Sequence, residues 1–312
     1  MIGIESLTKE YGGKAVVKDV SMRIETGTIT VIVGTSGSGK STFLRMINRL
    51  VEPTAGSVEI DGTDTRRMKA YELRRRIGYV IQDHGLFPHW TVARNVATVP
   101  RLLGWGREEI EARVHELLAL LQLDPDEIAP RYPHQLSGGQ AQRVGVARAL
   151  AARPDMLLMD EPFGALDPVI RAKAQQDLKE IQERLGSTIL LVTHDMSEAI
   201  KLGERIAVMS EGRVEQLAPP GEILTRPASA IVESLVGEED RPFRYLSLLP
   251  IAPLVEPGSA EGPAIGAERS LRDALAEMIW SGREALPVVD ASGRERGRVT
   301  RAALIAAGRP PR

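Results

Sequence analysis

A strand that runs straight into a glycine-rich loop and then into a helix constrains this chain more than any other feature. Thr28–Val33 is apolar and β-branched, the composition of a strand covered on both faces. It ends at Gly34, and the run Gly34-Thr35-Ser36-Gly37-Ser38-Gly39-Lys40-Ser41-Thr42 has the spacing G-x-x-x-x-G-K-[ST]. A helical pattern from Ser41 to Leu50 follows. In that setting the glycines let successive backbone N–H groups wrap a phosphate, and the helix start adds its positive dipole end. Lys40 supplies a mobile cation for the outer phosphates, and Ser41 a hydroxyl ligand for Mg²⁺. A Gly/Ser run alone would be an ordinary turn. Its place between a buried strand and a helix argues for the anion site.

The same alternation recurs along the chain. Strand-like runs at Ile77–Ile81, Met156–Met159, Thr188–Val192 and Ile206–Met209 are separated by helical patterns at Arg107–Leu121, Gln140–Ala152, Val169–Leu185 and Met196–Leu202. Apolar strands alternating with helices predict an α/β fold with a largely parallel sheet. Ile4–Tyr11, Lys14–Ile24 and Ser57–Asp61 instead suit antiparallel strands joined by Gly turns. A length of 312 residues leaves room for two domains. Forty basic against 42 acidic residues argue against a strongly basic nucleic-acid binder, and Arg74-Arg75-Arg76 reads as a solvated helix face. With no cysteine, disulfide scaffolds, Cys-ligated zinc or iron–sulfur sites and thiol catalysis are excluded. Apolar runs are strand-length, far below the ~18 residues of a membrane span. The N-terminus lacks the basic-then-apolar pattern of a leader, so any work at a membrane is expected to go through a partner.

Two further motifs carry chemistry. Leu157-Leu158-Met159-Asp160-Glu161 is an apolar strand ending in two carboxylates. Beside a phosphate loop, Asp160 can hold the Mg²⁺ shell and Glu161 can take a proton from an attacking water. Leu136-Ser137-Gly138-Gly139-Gln140 opens a helix with a Ser/Gly turn, a second place where backbone N–H groups meet an anion. Standing alone it would be a capped helix start with Ser137 as N-cap. His84, His89, His115 and His134 have no metal-ligand spacing.

Taken together, residues 1–236 resemble the nucleotide-binding subunit of an ABC transporter. The resemblance implies a P-loop NTPase domain of ABC type with a RecA-like core, an antiparallel β subdomain and a helical subdomain. It implies ATP and Mg²⁺ as ligands. Tyr11 would stack on adenine, Gly34–Thr42 would be the Walker A loop, and Gln82 would touch Mg²⁺ and sense the membrane partner. Leu136, Ser137, Gly138, Gly139 and Gln140 would form the signature motif, acting on the other subunit's ATP. Ser41, Gln82 and Asp160 would surround the metal. Glu161 would be the general base, Asp167 the D-loop residue in Ala165-Leu166-Asp167, and His194 the switch histidine. A head-to-tail homodimer with two sandwiched ATP molecules is implied. So are transmembrane permease chains, a solute-binding protein and a seat on the cytoplasmic face of the membrane. Members that act in DNA repair, chromosome maintenance or translation carry coiled coils, zinc modules or paired cassettes, none of which is visible here.

A finer resemblance concerns the solute. Ile81–Val92, Val99–Trp105, Arg131–Ser137, Met159–Pro168 and Asp240-Arg-Pro-Phe-Arg-Tyr-Leu-Ser247 look like the glycine betaine, choline and proline-betaine importers. Some of these runs also occur in importers of amino acids and other small solutes, which stands as the alternative. After the cassette, residues 237–266 read as a linker, with four Pro and three Gly between Pro250 and Gly266. Residues 267–312 resemble one CBS motif, a small α/β unit: helix Leu271–Trp280, strands Leu286–Val289 and Gly297–Thr300, and a short helix. A single copy is expected to bury its apolar face against a twin in the dimer. The ribose-binding Asp of that family would fall at Ala303, so nucleotide binding there is not implied.

Overall fold

The computed structural model describes residues 1–81, 85–164 and 166–309. The chain forms two compact units, Met1–Leu217 and Ala218–Arg312. The first begins with β1 (Ile2–Tyr11), β2 (Lys14–Ile24), β3 (Ile29–Val33), α1 (Lys40–Ile47), β4 (Ala55–Ile60) and β5 (Thr63–Asp64). It continues with α2 (Ala70–Arg75), β6 (Ile77–Val80), α3 (Val92–Val96), α4 (Thr98–Leu102), α5 (Arg107–Leu120), α6 (Pro125–Ile128) and α7 (Gly138–Leu150). It closes with β7 (Met156–Asp160), α8 (Pro168–Leu185), β8 (Thr188–Thr193), α9 (Met196–Leu202), β9 (Arg205–Ser210) and β10 (Arg213–Ala218).

A six-stranded sheet in the order β10-β9-β3-β8-β7-β6 is the frame of this unit. β3 pairs in parallel with β8 on one side and β9 on the other, and β7 links β8 to β6, also in parallel. Every residue of β3, β7 and β8 is buried, so their unbroken apolar runs are those of strands covered on both faces. The antiparallel segments form a separate sheet, β2-β1-β4-β5, whose inner residues share a core with α1. The parallel core, the antiparallel sheet and the block of helices α3–α7 agree with the architecture expected from sequence.

Helix starts follow local chemistry. Ser137 caps α7 in a reciprocal box with Gln140, Asp167 caps α8 with Pro168 in its first turn, and Asp195 caps α9. The parallel strands therefore deliver their carboxyl ends, and the loops that follow, to one edge of the sheet.

The second unit contains α10 (Pro220–Thr225), α11 (Ala230–Val236), α12 (Arg241–Leu248), β11 (Ile265–Gly266) and α13 (Leu271–Ser281). It ends with β12 (Ala285–Val289), β13 (Glu295–Thr300) and α14 (Arg301–Ala307), the strands ordered β11-β12-β13. The stretch read from sequence as a linker is largely engaged here. α12 lies within it, Ile251 is fully buried, and Glu256 pairs with Arg298 of β13. Arg241 donates to the Leu224 carbonyl and Arg244 to the Val236 carbonyl at 2.5 Å, which ties α12 to α10 and α11. The apolar face expected to seek a twin is thus covered within the chain. Leu246 and Ile251 join Leu271, Met278, Leu286, Val288, Val299 and Leu304 in one core. Proline and glycine density marked an irregular path, but the scattered apolar residues on that path are what fill the face.

Candidate active site

The phosphate loop leaves the end of β3 and enters α1 at Lys40. Two glycines are required by space. A Cβ on Gly34 would sit 2.0 Å from the Met209 carbonyl oxygen, and Gly39 holds φ +98° with Val16 O 2.6 Å from where its Cβ would lie. Lys40 is only 6% exposed, and its Nζ donates to the carbonyls of Gly34 and Thr35, each at 2.8 Å, with Ser38 Oγ at 3.4 Å. Burial pushes its ammonium below the usual lysine range, while Glu161 and Asp160 pull it back up. A buried cation held by backbone carbonyls inside a loop of N–H groups is built to be met by an anion.

At the residue after Lys40, Ser41 Oγ donates to Asp160 Oδ1 at 2.8 Å, which joins α1 to the end of β7. A hydroxyl and a carboxylate side by side form a hard-oxygen pair, the donor type Mg²⁺ selects. Arg45, one turn further along α1, has its Nη2 3.7 Å from Asp160 Oδ2. Tyr79 of β6 lies in the same cluster, and burial together with the Asp160 carboxylate raises its phenol above the ordinary value.

Glu161 follows Asp160 with φ +46°, an uncommon backbone for a residue with a Cβ. Its N–H donates to the Val192 carbonyl of β8 at 3.0 Å, and the turn swings its carboxylate so that Oε2 lies 3.1 Å from His194 Nδ1. Lys40, Ser41, Asp160, Glu161 and His194 are therefore gathered from three elements at one sheet edge. Tyr11, at the end of β1, is 49% exposed and lies under Lys9 Nζ at 4.9 Å from the ring centroid. Asp167 is occupied as the cap of α8, accepting from Val169 and Ile170. Gln82 and Ala165 lie outside the described residues.

The structure does not bring the segment Leu136–Gln140 to this cluster. Ser137 and Gly138 are exposed at the start of α7, and among the described residues neither forms a hydrogen bond or ion pair with the phosphate loop. The start of α7 is thus left open on the surface of one chain.

A second layer escaped the sequence reading. Glu198 of α9 is buried and accepts from Gln175 Nε2 of α8 at 2.9 Å, while Lys201 Nζ donates to Gln175 Oε1 at 3.0 Å. Burial holds the Glu198 carboxyl above the usual range, opposed by hydrogen bonds from Thr193 and Gln175. Arg171 donates to the Leu166 carbonyl at 2.9 Å, holding the loop that leads into α8. Glu161, Gly164, Arg171, Thr193, His194 and Glu198 line one small cavity. The only linear hint of this layer is the spacing His194…Glu198, one helical turn, past the Asp195 cap.

Among known proteins, the ABC transporter family matches over residues 17–164. The glycine betaine uptake system ATP-binding protein YehX of Escherichia coli K12 is 50% identical over 95% of this chain and 96% of its own length. The glycine betaine/carnitine/choline transport ATP-binding protein OpuCA of Bacillus subtilis is 45% identical over 93% of this chain and 76% of its own. Among solved structures, a dimeric bacterial ABC transporter cassette superposes with a TM-score of 0.63 at 39% identity, over 70% of this chain and 99% of that one.

Proposed function

Because the chain belongs to the ATP-binding subunits of ABC transporters, we infer that it hydrolyses ATP to power import of a quaternary-amine osmoprotectant through separate permease chains. The joining of Lys40, Ser41, Asp160, Glu161 and His194 at one sheet edge carries the ATPase part of this reading. The phosphate chain of ATP would displace the loop carbonyls as partner of Lys40, with Tyr11 available to the base. Ser41 and Asp160 fit Mg²⁺, which when bound neutralises charge on the phosphates. Glu161 accepts the proton of the attacking water, and His194, at Nδ1, holds that carboxylate in line. Lys40 and His194 oppose the charge that develops on the transferred phosphate.

The open helix start at Ser137 supports a head-to-tail homodimer in which each chain's signature segment closes the other's site. A solved relative is described as a dimeric cassette, and another as bound to ADP and Pi. No helix among the described residues is long and apolar enough to cross a membrane. Permease chains therefore supply the path, and a solute-binding protein the capture step. A cleft lined by Ile77, Tyr79, Ile81, Phe87, Val99 and Arg148 suits a short cytoplasmic helix of the permease.

The solute rests on the relatives. A sulfate/thiosulfate import ATP-binding protein of Rhodopseudomonas palustris is also 44% identical, but over 76% of this chain. The betaine- and choline-system relatives above extend over 93–95% of it, and so cover most of the second unit as well as the first. The test is uptake of labelled glycine betaine and choline in cells lacking the gene, with wild type or Glu161→Gln restored. Rescue by wild type alone is expected. Failure to rescue either solute with the permease present would remove the osmoprotectant assignment and leave the ATPase.

A further inference from the structure

Behind the Glu161–His194 contact runs a buried chain of polar groups that takes no part in the steps described so far. Thr193, Gln175 and Glu198 are all buried. The Asp195 N–H donates to Thr193 Oγ1 at 3.1 Å, which closes a small turn around His194. The Thr193 hydroxyl in turn lies within hydrogen-bonding reach of the Glu198 carboxyl. Gln175 Nε2 donates to Glu198 Oε1 at 2.9 Å, and Gln175 Oε1 accepts from Lys201 Nζ at 3.0 Å. An ionised carboxylate only accepts, so Glu198 dictates the direction of both neighbours: the hydroxyl proton and the amide N–H must point at it. A flipped Gln175 amide would set oxygen against oxygen and N–H against ammonium. On α8, Arg171 lies one turn before Gln175 and donates to the Leu166 carbonyl at 2.9 Å, while Gly164 N–H donates back to the Glu161 carbonyl at 3.2 Å. The loop that carries His194 and the loop that follows Glu161 are therefore tied to opposite ends of one polar chain.

We propose that Glu198 and Gln175 are positioning residues for hydrolysis: by locking α8 to α9 they set the spacing of the Glu161 and His194 loops and so keep the Glu161 carboxylate aimed at the attacking water. Two observations favour this role. Glu161, Arg171, Thr193, His194 and Glu198 line one cavity of about 20 Å³, which admits a single water and no ligand, so the set is not a binding site of its own. A buried carboxyl is also a costly way to join two helices, since apolar side chains would pack them without its desolvation. What the polar set adds is direction, because each link fixes the orientation of the next. The pair touches neither the phosphate loop nor the reacting atoms, so it acts on turnover and not on ATP binding. The proposal rests on the roles given above to Glu161 and His194.

The test exchanges the two side chains in the full-length chain and follows ATP turnover. Gln175→Glu sets two carboxylates face to face and should lower kcat about tenfold or more, with the KM for Mg·ATP within about twofold of wild type. Adding Glu198→Gln should bring kcat back to within about threefold of wild type. In that exchanged chain the amide at position 198 donates to the carboxylate at position 175, Lys201 meets the same carboxylate, and Thr193 keeps its acceptor. In a His194→Ala chain, Gln175→Glu should cost less than about twofold more, because the imidazole it positions is gone. Where Gln175→Glu alone does not fold, Glu198→Gln replaces it. That variant fills the same space but leaves one amide N–H unpaired, and a several-fold fall in kcat at unchanged ATP affinity is expected. Wild-type turnover in the single variants, an exchanged chain no better than Gln175→Glu, or the full tenfold loss repeated in the His194→Ala chain overturns the proposal and leaves the active site as described. A His194→Ala chain that turns over like wild type removes the role of His194, and the proposal with it.

Discussion

Replacing Glu161 by glycine and, separately, by alanine isolates what the left-handed backbone at this position costs. Both substitutions remove the same carboxylate and the same contact with His194, so the difference between them reports the backbone alone. At φ +46° a residue with a Cβ is disfavoured by about 1–2 kcal/mol relative to glycine. Glycine loses about 0.5–1 kcal/mol more chain entropy on folding than alanine. The glycine variant should therefore be the more stable of the two by about 0.5–1 kcal/mol, the reverse of the order at an ordinary strand or helix position. For a unit of this size that is a shift of a few degrees in Tm, about 1–4 °C. Nucleotide-free unfolding in urea is the assay, read on the transition that ATP moves in the wild type. Both variants should lose hydrolysis to a similar extent, about 10²–10⁴-fold, as expected for removal of a general base. An alanine variant more stable than the glycine variant would refute the reasoning. The strained turn would then not be a feature of the folded chain.

Three further outcomes are expected. Lys40→Ala should abolish the stabilisation that ATP confers, a loss of about 2.7 kcal/mol at a ligand concentration 100 times the wild-type Kd; a preserved ATP-induced thermal shift would contradict the role given to the buried ammonium. Glu198 has its carboxyl raised above the ordinary 4.5 by burial, so its contribution is fully present below that value and is lost as pH climbs through the raised one. Glu198→Gln, which keeps an oxygen for Gln175, should flatten the decline of stability with rising pH, measured as the wild-type-minus-variant difference in urea unfolding. Leu286→Ala, at a fully buried site in the second unit's core, should cost about 2–5 kcal/mol and melt that unit in calorimetry before the transition shifted by ATP.

Much of the first unit was legible because its signals are local. β3, β7 and β8 are short, largely apolar runs bounded by breaks, the pattern of a strand covered on both faces. α9 matches its expected span, Met196–Leu202, since Asp195 starts it and Gly203 ends it. Elements that run against local preference were not read. α4 includes Pro100 and α12 includes Pro242, near their starts where proline is tolerated, and neither stands out in sequence from an irregular segment. Of the site, the loop and the strand-end carboxylates were legible as motifs. The turn at Glu161 was not, since glutamate has no preference for positive φ, and tertiary contacts hold it there. The Glu198–Gln175–Lys201 set was equally hidden, because it exists only once α8 and α9 lie side by side.

The exposed start of α7 has a genetic corollary. In the head-to-tail arrangement inferred above, each working site draws its general base from one polypeptide and its signature serine from the other. A chain bearing Ser137→Arg and a chain bearing Glu161→Gln would each be inactive alone. Mixed, they would form dimers with one intact site and one doubly broken site. At equal amounts half of the dimers are mixed, so about a quarter of all sites are whole. Two null alleles at this locus would then complement each other within the same cell, and the restored activity would measure how freely the chains exchange partners.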